Sequence, residues 1–205
     1  MCLKKIIQKF SKIQAYIFDW DGVFNAGIKN SNMQSSFSEI DAMGINLLRF
    51  SHFLQKKIPI ISIISGANNL NAKKFSQREN FNIIYTGIKN KKLALNHFSK
   101  KYQLQKSEIA FFFDDVIDLS IAQQVGLRIM VKHNNANNDL LNDYVQKKQW
   151  TDYITKNHGG KNAIRETTEL LLHLSKNYDK VLSHRINYTS KYQMYLTQKL
   201  SLIHI

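Results

Sequence analysis

Cysteine is all but absent from this 205-residue chain, and the single Cys2 excludes an internal disulfide framework or a zinc site built on cysteines. One proline and eight glycines are too few for a collagenous or low-complexity chain, and 43% hydrophobic residues exclude a disordered one. No apolar run approaches the roughly 20 residues that a membrane span needs. The first ten residues place Lys4, Lys5 and Lys9 among their apolar positions, which makes a poor signal peptide. A soluble cytoplasmic protein is therefore the expectation, with Cys2 an inert terminal residue. Acidic side chains are scarce as well: 15 Asp and Glu stand against 29 Lys and Arg, for a net charge of +14. The lysines are dispersed, mostly in pairs, without an Arg-rich arm or an RNA-binding aromatic motif. The excess reads as a bias towards Lys, Asn and Ile rather than as a nucleic-acid interface.

The scarce acids are concentrated. Asp19 and Asp21 form one cluster and Asp114, Asp115 and Asp118 another, each directly after an apolar run rich in β formers. The pattern around them alternates strand and helix. Strands are expected at 15–18, 58–64 (with Pro59 tolerated at the start), 82–85, 109–113 and 127–131. Helices are expected at about 44–56, 69–78, 91–102 and 118–125. This succession predicts an α/β fold, a mostly parallel sheet with helices on both faces. Two segments break the rhythm. Residues 24–43 are polar, too short for a cap domain, and expected to form a small β-hairpin flap. Beyond residue 178, Tyr188, Tyr192, Met194, Tyr195, Leu196 and Leu200 suggest an amphipathic helical extension without an assigned role, so the domain is drawn at 1–178 and the extension at 179–205.

In open parallel sheets, sites form at the carboxyl ends of the strands. Four polar signals fall there in succession: Asp19-Trp20-Asp21-Gly22, Ser65-Gly66, Gly87 with Lys91, and Asp114-Asp115-Val116-Ile117-Asp118. One carboxylate can attack, another can shuttle a proton, and a third can hold a metal with the first. A hydroxyl and an ammonium remain to grip an anion. Attack of a carboxylate on a phosphate dianion is repulsive unless Mg²⁺ and a lysine neutralise both.

These four segments resemble the four motifs of the haloacid dehalogenase superfamily of phosphatases. The likeness sharpens to a capless branch, the 3-deoxy-manno-octulosonate 8-phosphate phosphatases, through residues 37–45, 85–87, 124–127 and 152–166, and it covers roughly 10–175. The resemblance implies a Rossmann-like three-layer sheet with no cap domain. It also implies hydrolysis of a phosphorylated 3-deoxy-2-keto sugar acid and a place in lipopolysaccharide biosynthesis. Asp19 resembles the nucleophile that becomes an aspartyl phosphate, and Asp21 the general acid/base. Mg²⁺ is implied on the Asp19 carboxylate, the Asp21 backbone carbonyl and Asp114, with Asp118 orienting the groups around the metal. Ser65, Gly66 and Lys91 are implied in phosphate binding, and Lys161 and Arg165 in gripping the sugar acid. The family further implies a homotetramer in which the flap of one subunit covers a neighbour's site.

Three departures stand out. Phe113 occupies a position where the superfamily usually has Gly, and either crowds the metal site or completes the apolar strand. Ala67 stands where an Arg is usual in the family, and the flap is altered. Asp115 reads as an acid at a helix N-terminus. The seven histidines, His158 included, are dispersed without ligand spacing and read as structural or surface residues. Competing readings are the same chemistry on a sialic-type acid 9-phosphate, or a catalytically silent scaffold or nucleic-acid binder. A receiver-like signalling domain also uses an acid pair, Ser and Lys, but in a different strand order.

Overall fold

The computed structural model describes residues 3–32, 35–133 and 139–201. The reading of Cys2 lies outside these residues, as do Met33 and Gln34 of the expected flap and the last four residues of the tail. The strands are β1 (Ala15–Phe18), β2 (Ile60–Ile64), β3 (Ile83–Tyr85), β4 (Ile109–Phe113), β5 (Leu127–Lys132) and β6 (Tyr153–His158). They form one sheet in the order β3-β2-β1-β4-β5-β6, every pair parallel. The helices are α1 (Leu3–Phe10), α2 (Glu39–Leu54), α3 (Leu70–Arg78), α4 (Lys91–Lys101), α5 (Leu119–Ala122), α6 (Asp139–Lys147), α7 (Ala163–Leu174), α8 (Tyr178–Ile186) and α9 (Ser190–Ser201).

Alternation along the strands splits the core in two. Tyr16, Phe18, Ile61, Ile63, Ala110 and Phe112 point to one face, where α1, α2, α3 and α7 cover them. Ala15, Ile17, Ile64, Phe111, Phe113 and Met130 point to the other, under α4, α5 and α6. Strands buried on both faces are continuous apolar runs, which is why β1 and β4 are legible as such. Phe113 is fully buried and stacks on Phe111, centroids 5.5 Å apart, so it completes the apolar strand.

Several boundaries move. Strand β2 begins at Ile60, after Pro59, and the expected helix at 118–125 is a 3-10 turn, Val116–Asp118, followed by the single turn of α5. Helix α2 starts at Glu39 rather than 44: the Ser38 hydroxyl caps it, accepting from the Asp41 N–H at 3.3 Å, with Glu39 and Asp41 in the first turn. Helices α1 and α6 and strand β6 were not expected.

The β-hairpin flap is not formed: among the described residues between 24 and 38 there is no strand. The segment is instead pinned by its aromatics. Trp20 stacks on Phe24 at 4.8 Å, and Phe24 and Phe37 both meet Phe75 of α3, at 5.0 and 4.8 Å. The Trp20 indole N–H donates to the Ser35 hydroxyl at 2.8 Å. Lys29 to Asn32 offer no apolar alternation to pair as a hairpin.

The tail is two helices, not one. Helices α8 and α9 fold back on α2 and build a third apolar cluster from Leu47, Phe50, Leu172, Val181, Tyr192 and Tyr195. The Tyr192 hydroxyl donates to Asn46 Oδ1 at 2.7 Å, and that of Tyr195 to the Asn46 carbonyl at 3.3 Å. At the sheet's far edge, Glu166 of α7 accepts from the Lys156 and Asn157 N–H groups of β6, both at 2.8 Å.

Candidate active site

The chain leaves β1 for β2 and β3 on one side and returns to β4 on the other, so a crevice opens between the carboxyl ends of β1 and β4. Asp19 ends β1 and Asp114 ends β4. A cleft of about 570 Å³ lies over them, lined by acids (Asp19, Asp21, Asp114 and Asp115), by Gly22 and Gly66, and by Lys132, His133, His158 and Lys161. A hollow of about 440 Å³ at the amino ends of β5 and β6 holds Lys5, Arg128 and Asp152. Its Asp152 is already bonded to Lys9 and Arg128 at 2.6 and 2.8 Å, so it offers no free carboxylate chemistry.

The heart of the cleft is a buried cluster. Lys91, with no exposed side-chain surface, places its Nζ 2.7 Å from Asp19 Oδ1 and 2.6 Å from Asp118 Oδ1. Burial favours its neutral amine, but Asp118 and Asp19 outweigh that and raise its pKa. Burial also lifts the carboxyl of Asp19 well above the usual range, with Asp118 adding to the shift and Lys91 opposing it. Asp114 is raised by burial against the hydrogen bond from His133, and Asp118 is pushed by burial up to about 6. All three acids resist ionisation together, so the cluster is short of positive charge.

A divalent cation fits that deficit. Asp19, Asp114 and Asp118 each offer an oxygen within 4.8 Å of the others, a candidate metal group among the described residues. Asp114 Oδ1 is buried and has no hydrogen-bond partner. An all-oxygen donor set suits Mg²⁺. Asp118 Oδ1 is taken by Lys91 and its Oδ2 accepts from the Asp115 N–H at 3.4 Å, which leaves Asp19 and Asp114 as the better-placed carboxylates.

Asp21 stands apart from this cluster, at the cleft wall. Asn69 Nδ2 lies 3.3 Å from both of its oxygens, and Lys29 Nζ lies 3.1 Å from Oδ2. Gly22 has a φ of +85°, and a Cβ there would lie 1.8 Å from Asp114 Oδ2, so only glycine lets the two acid-bearing loops meet. A Cβ on Gly159 would lie 1.9 Å from the Gly22 carbonyl, so the 158–161 loop also reaches the site by lacking a side chain.

Most residues expected from the sequence converge. Ser65 is buried at the end of β2, with Gly66 and Ala67 in the cleft lining, and Lys161 is on the rim. Asp115 caps the 3-10 turn, accepting from the Val116 N–H at 2.7 Å. Arg165 is the exception. It does not line the cleft; its Nε donates to Glu169 at 2.7 Å, one helical turn along α7, and its own N–H donates to Asp41. The residues missed are Asn69, Lys29, Lys132 and His133. His133 Nε2 lies 2.6 Å from Asp114 Oδ2, and His158, read as structural, lines the cleft. For Lys132, His133 and His158 the available signal was the one used elsewhere, a polar residue at or just beyond a strand's carboxyl end.

No protein-family model matches the chain. It is 29% identical over 174 residues to the 3-deoxy-D-manno-octulosonate 8-phosphate phosphatase of Yersinia pestis, covering 82% of this chain and 83% of that one. The Escherichia coli enzyme of the same name is 27% identical over 171 residues, with the same coverage. Among solved structures, the phosphatase of that name from Moraxella catarrhalis, in complex with magnesium, phosphate and the sugar acid, superposes with a TM-score of 0.72 at 28% identity, over 89% of this chain and 98% of that one. A Legionella pneumophila protein assigned to subfamily III A of the haloacid dehalogenase superfamily superposes with a TM-score of 0.73 at 26% identity, over 90% and 96% of the two chains. With that architecture and that arrangement of acids, the chain is a protein of the haloacid dehalogenase type, built like the 3-deoxy-D-manno-octulosonate 8-phosphate phosphatases.

Proposed function

We propose that the protein is a Mg²⁺-dependent phosphomonoesterase acting on a phosphorylated 3-deoxy-2-keto sugar acid of the octulosonate 8-phosphate kind. The observation that carries the reading is Lys91, buried between Asp19 and Asp118 with Asp114 alongside, at the crevice where the strand order turns. An Asp19 oxygen attacks phosphorus as the ester P–O bond to the sugar breaks, and Asp21 gives the departing alkoxide a proton. Asp21 then takes a proton from the water that attacks phosphorus, releasing inorganic phosphate and restoring Asp19. Lys91 and the Ser65–Gly66 turn hold the phosphoryl oxygens. Asp19, Asp114 and the Asp21 carbonyl would hold Mg²⁺, which supplies positive charge to the phosphoryl group.

Lys132, His133, His158 and Lys161 line the same cleft as Asp21, and Lys132 and Lys161 give it positive charge for a substrate carboxylate. Ala67 in the lining supports a second reading within the same chemistry, relaxed choice among sugar acid phosphates, including a sialic-type 9-phosphate. The test is phosphate release by purified protein from a panel of sugar phosphates with Mg²⁺ and with excess EDTA. The octulosonate 8-phosphate is expected to be turned over with a higher kcat/KM than neutral hexose phosphates, and EDTA to silence the enzyme. Preference for neutral sugars overturns the substrate assignment, and full activity in EDTA the metal assignment.

The family's tetramer is retained as part of this proposal, on a different footing from the absent hairpin. Ile28 and Ile117 in the cleft lining are 76% and 53% exposed, apolar surface that another copy would cover.

A further inference from the structure

We propose that His133 is a positioning residue for the metal-binding carboxylate: it ties down one oxygen of Asp114 so that the other is presented to the cation. The inference rests on the metal-dependent reading above and adds a residue to it. A carboxylate can only accept, so the 2.6 Å contact is His133 Nε2–H donating to Asp114 Oδ2. Gly22 closes on the same oxygen, leaving no room even for a methyl group. Oδ2 is thus held from two sides, while Oδ1 is buried and has no partner. A carboxylate with one oxygen fixed and the other free and desolvated is already oriented for a cation, so less freedom is lost on binding.

The backbone explains how an imidazole reaches β4 from β5. The pairing of β5 with β6 slips at its end: Met130 opposes Ile154, yet Lys132 opposes His158, so β6 carries extra residues there. Thr155 fills the irregularity, its hydroxyl accepting from the Lys132 N–H at 3.0 Å and donating to the Asn157 carbonyl at 2.7 Å. Such bulges re-aim side chains beside active sites. Here the slip anchors the last residue of β5, and the next, His133, projects over the crevice onto the end of β4.

The test is calorimetric titration of the unliganded protein with Mg²⁺, which needs no substrate. Outer hydrogen bonds of this kind are typically worth about 10- to 100-fold in metal affinity. His133→Ala is expected to weaken Mg²⁺ binding by that factor, and His133→Gln, which keeps an N–H donor, to recover part of it. A merely structural role would lower the melting temperature of the metal-free protein and leave the Mg²⁺ dissociation constant alone. An affinity within twofold of wild type in His133→Ala, or a tighter one, overturns the proposal. If His133→Ala does not fold, the comparison of His133→Gln with His133→Leu decides it in the same way. Wild-type protein that binds Mg²⁺ but does not hydrolyse the octulosonate phosphate overturns the substrate reading and leaves this inference standing; wild-type protein that binds no Mg²⁺ overturns both.

Discussion

At the scale of single residues, the site is an electrostatic compromise centred on Asp19. Its carboxyl is raised well above the usual range by burial and by Asp118, so its charge is costly to the metal-free fold. Asp19→Asn removes the proposed nucleophile and one proposed metal ligand but also relieves that cost. The expected outcome is no measurable turnover with a melting temperature equal to or above wild type; appreciable phosphate release by the variant contradicts the mechanism. A second buried group sets a pH dependence of its own. Burial depresses the His52 imidazole from 6.5 to about 4, against the Tyr16 hydroxyl at 2.7 Å. Between those values the unfolded chain binds the proton and the folded one does not. The contribution is therefore complete above pH 6.5 and is lost as pH falls towards 4, on the order of 3 kcal/mol in all. Asp41, raised by burial from 3.8 to about 6, runs the other way, its contribution declining as pH rises through that window. His52→Gln isolates the first effect: on going from pH 7 to pH 5 the variant should lose less stability in urea unfolding than wild type, or gain some, and an equal change in both would refute the assignment. Asp19 and Asp114 were legible in the sequence because each directly follows an apolar strand, and Lys91 through its spacing from Gly87 in the family resemblance. Asn69 and Lys29 were not, because they meet Asp21 only through loops whose course no periodicity specifies. His133 follows a strand like the others, but ligand spacing is a local criterion and its partner lies across the sheet.

At the scale of elements, burial on both faces made β1, β2 and β4 readable, whereas β6 was not. Only Tyr153 and Ile154 open it with apolar side chains, and Lys156 and Asn157 follow. The hairpin expected at 24–43 failed for a related reason: length suggested a flap, but the aromatic residues at both ends of the segment belong to the cluster on Phe75. Helices α8 and α9 show the converse. The amphipathic pattern of α9 was legible, that of α8 was not, and the surface both seek, Leu47 and Phe50 on α2, is visible only once the chain folds. Tyr195, 1% exposed, carries much of that contact. Tyr195→Ala is expected to cost about 3–5 kcal/mol, as for other large aromatic deletions, read as a lower urea midpoint with kcat unchanged at saturating substrate. A loss below about 1 kcal/mol would mean that the tail is only loosely docked.

At the scale of the whole molecule, the expected outcome is that light scattering finds a homotetramer; a clean monomer with full activity would refute it. How copies can meet is constrained by the two margins of the sheet. One is β3, three residues long; the other is β6, two of whose N–H groups, at Lys156 and Asn157, already end on Glu166. Unpaired strand edges are where chains add to one another, and here one edge is short and the other plugged. A carboxylate on a helix therefore acts as a stopper against continuous sheets running from copy to copy. The proposed tetramer would then assemble through loops and helix faces. On dilution to dissociated protein, deuterium uptake at the amides of β1, β4 and β6 should stay as slow as in the assembled form.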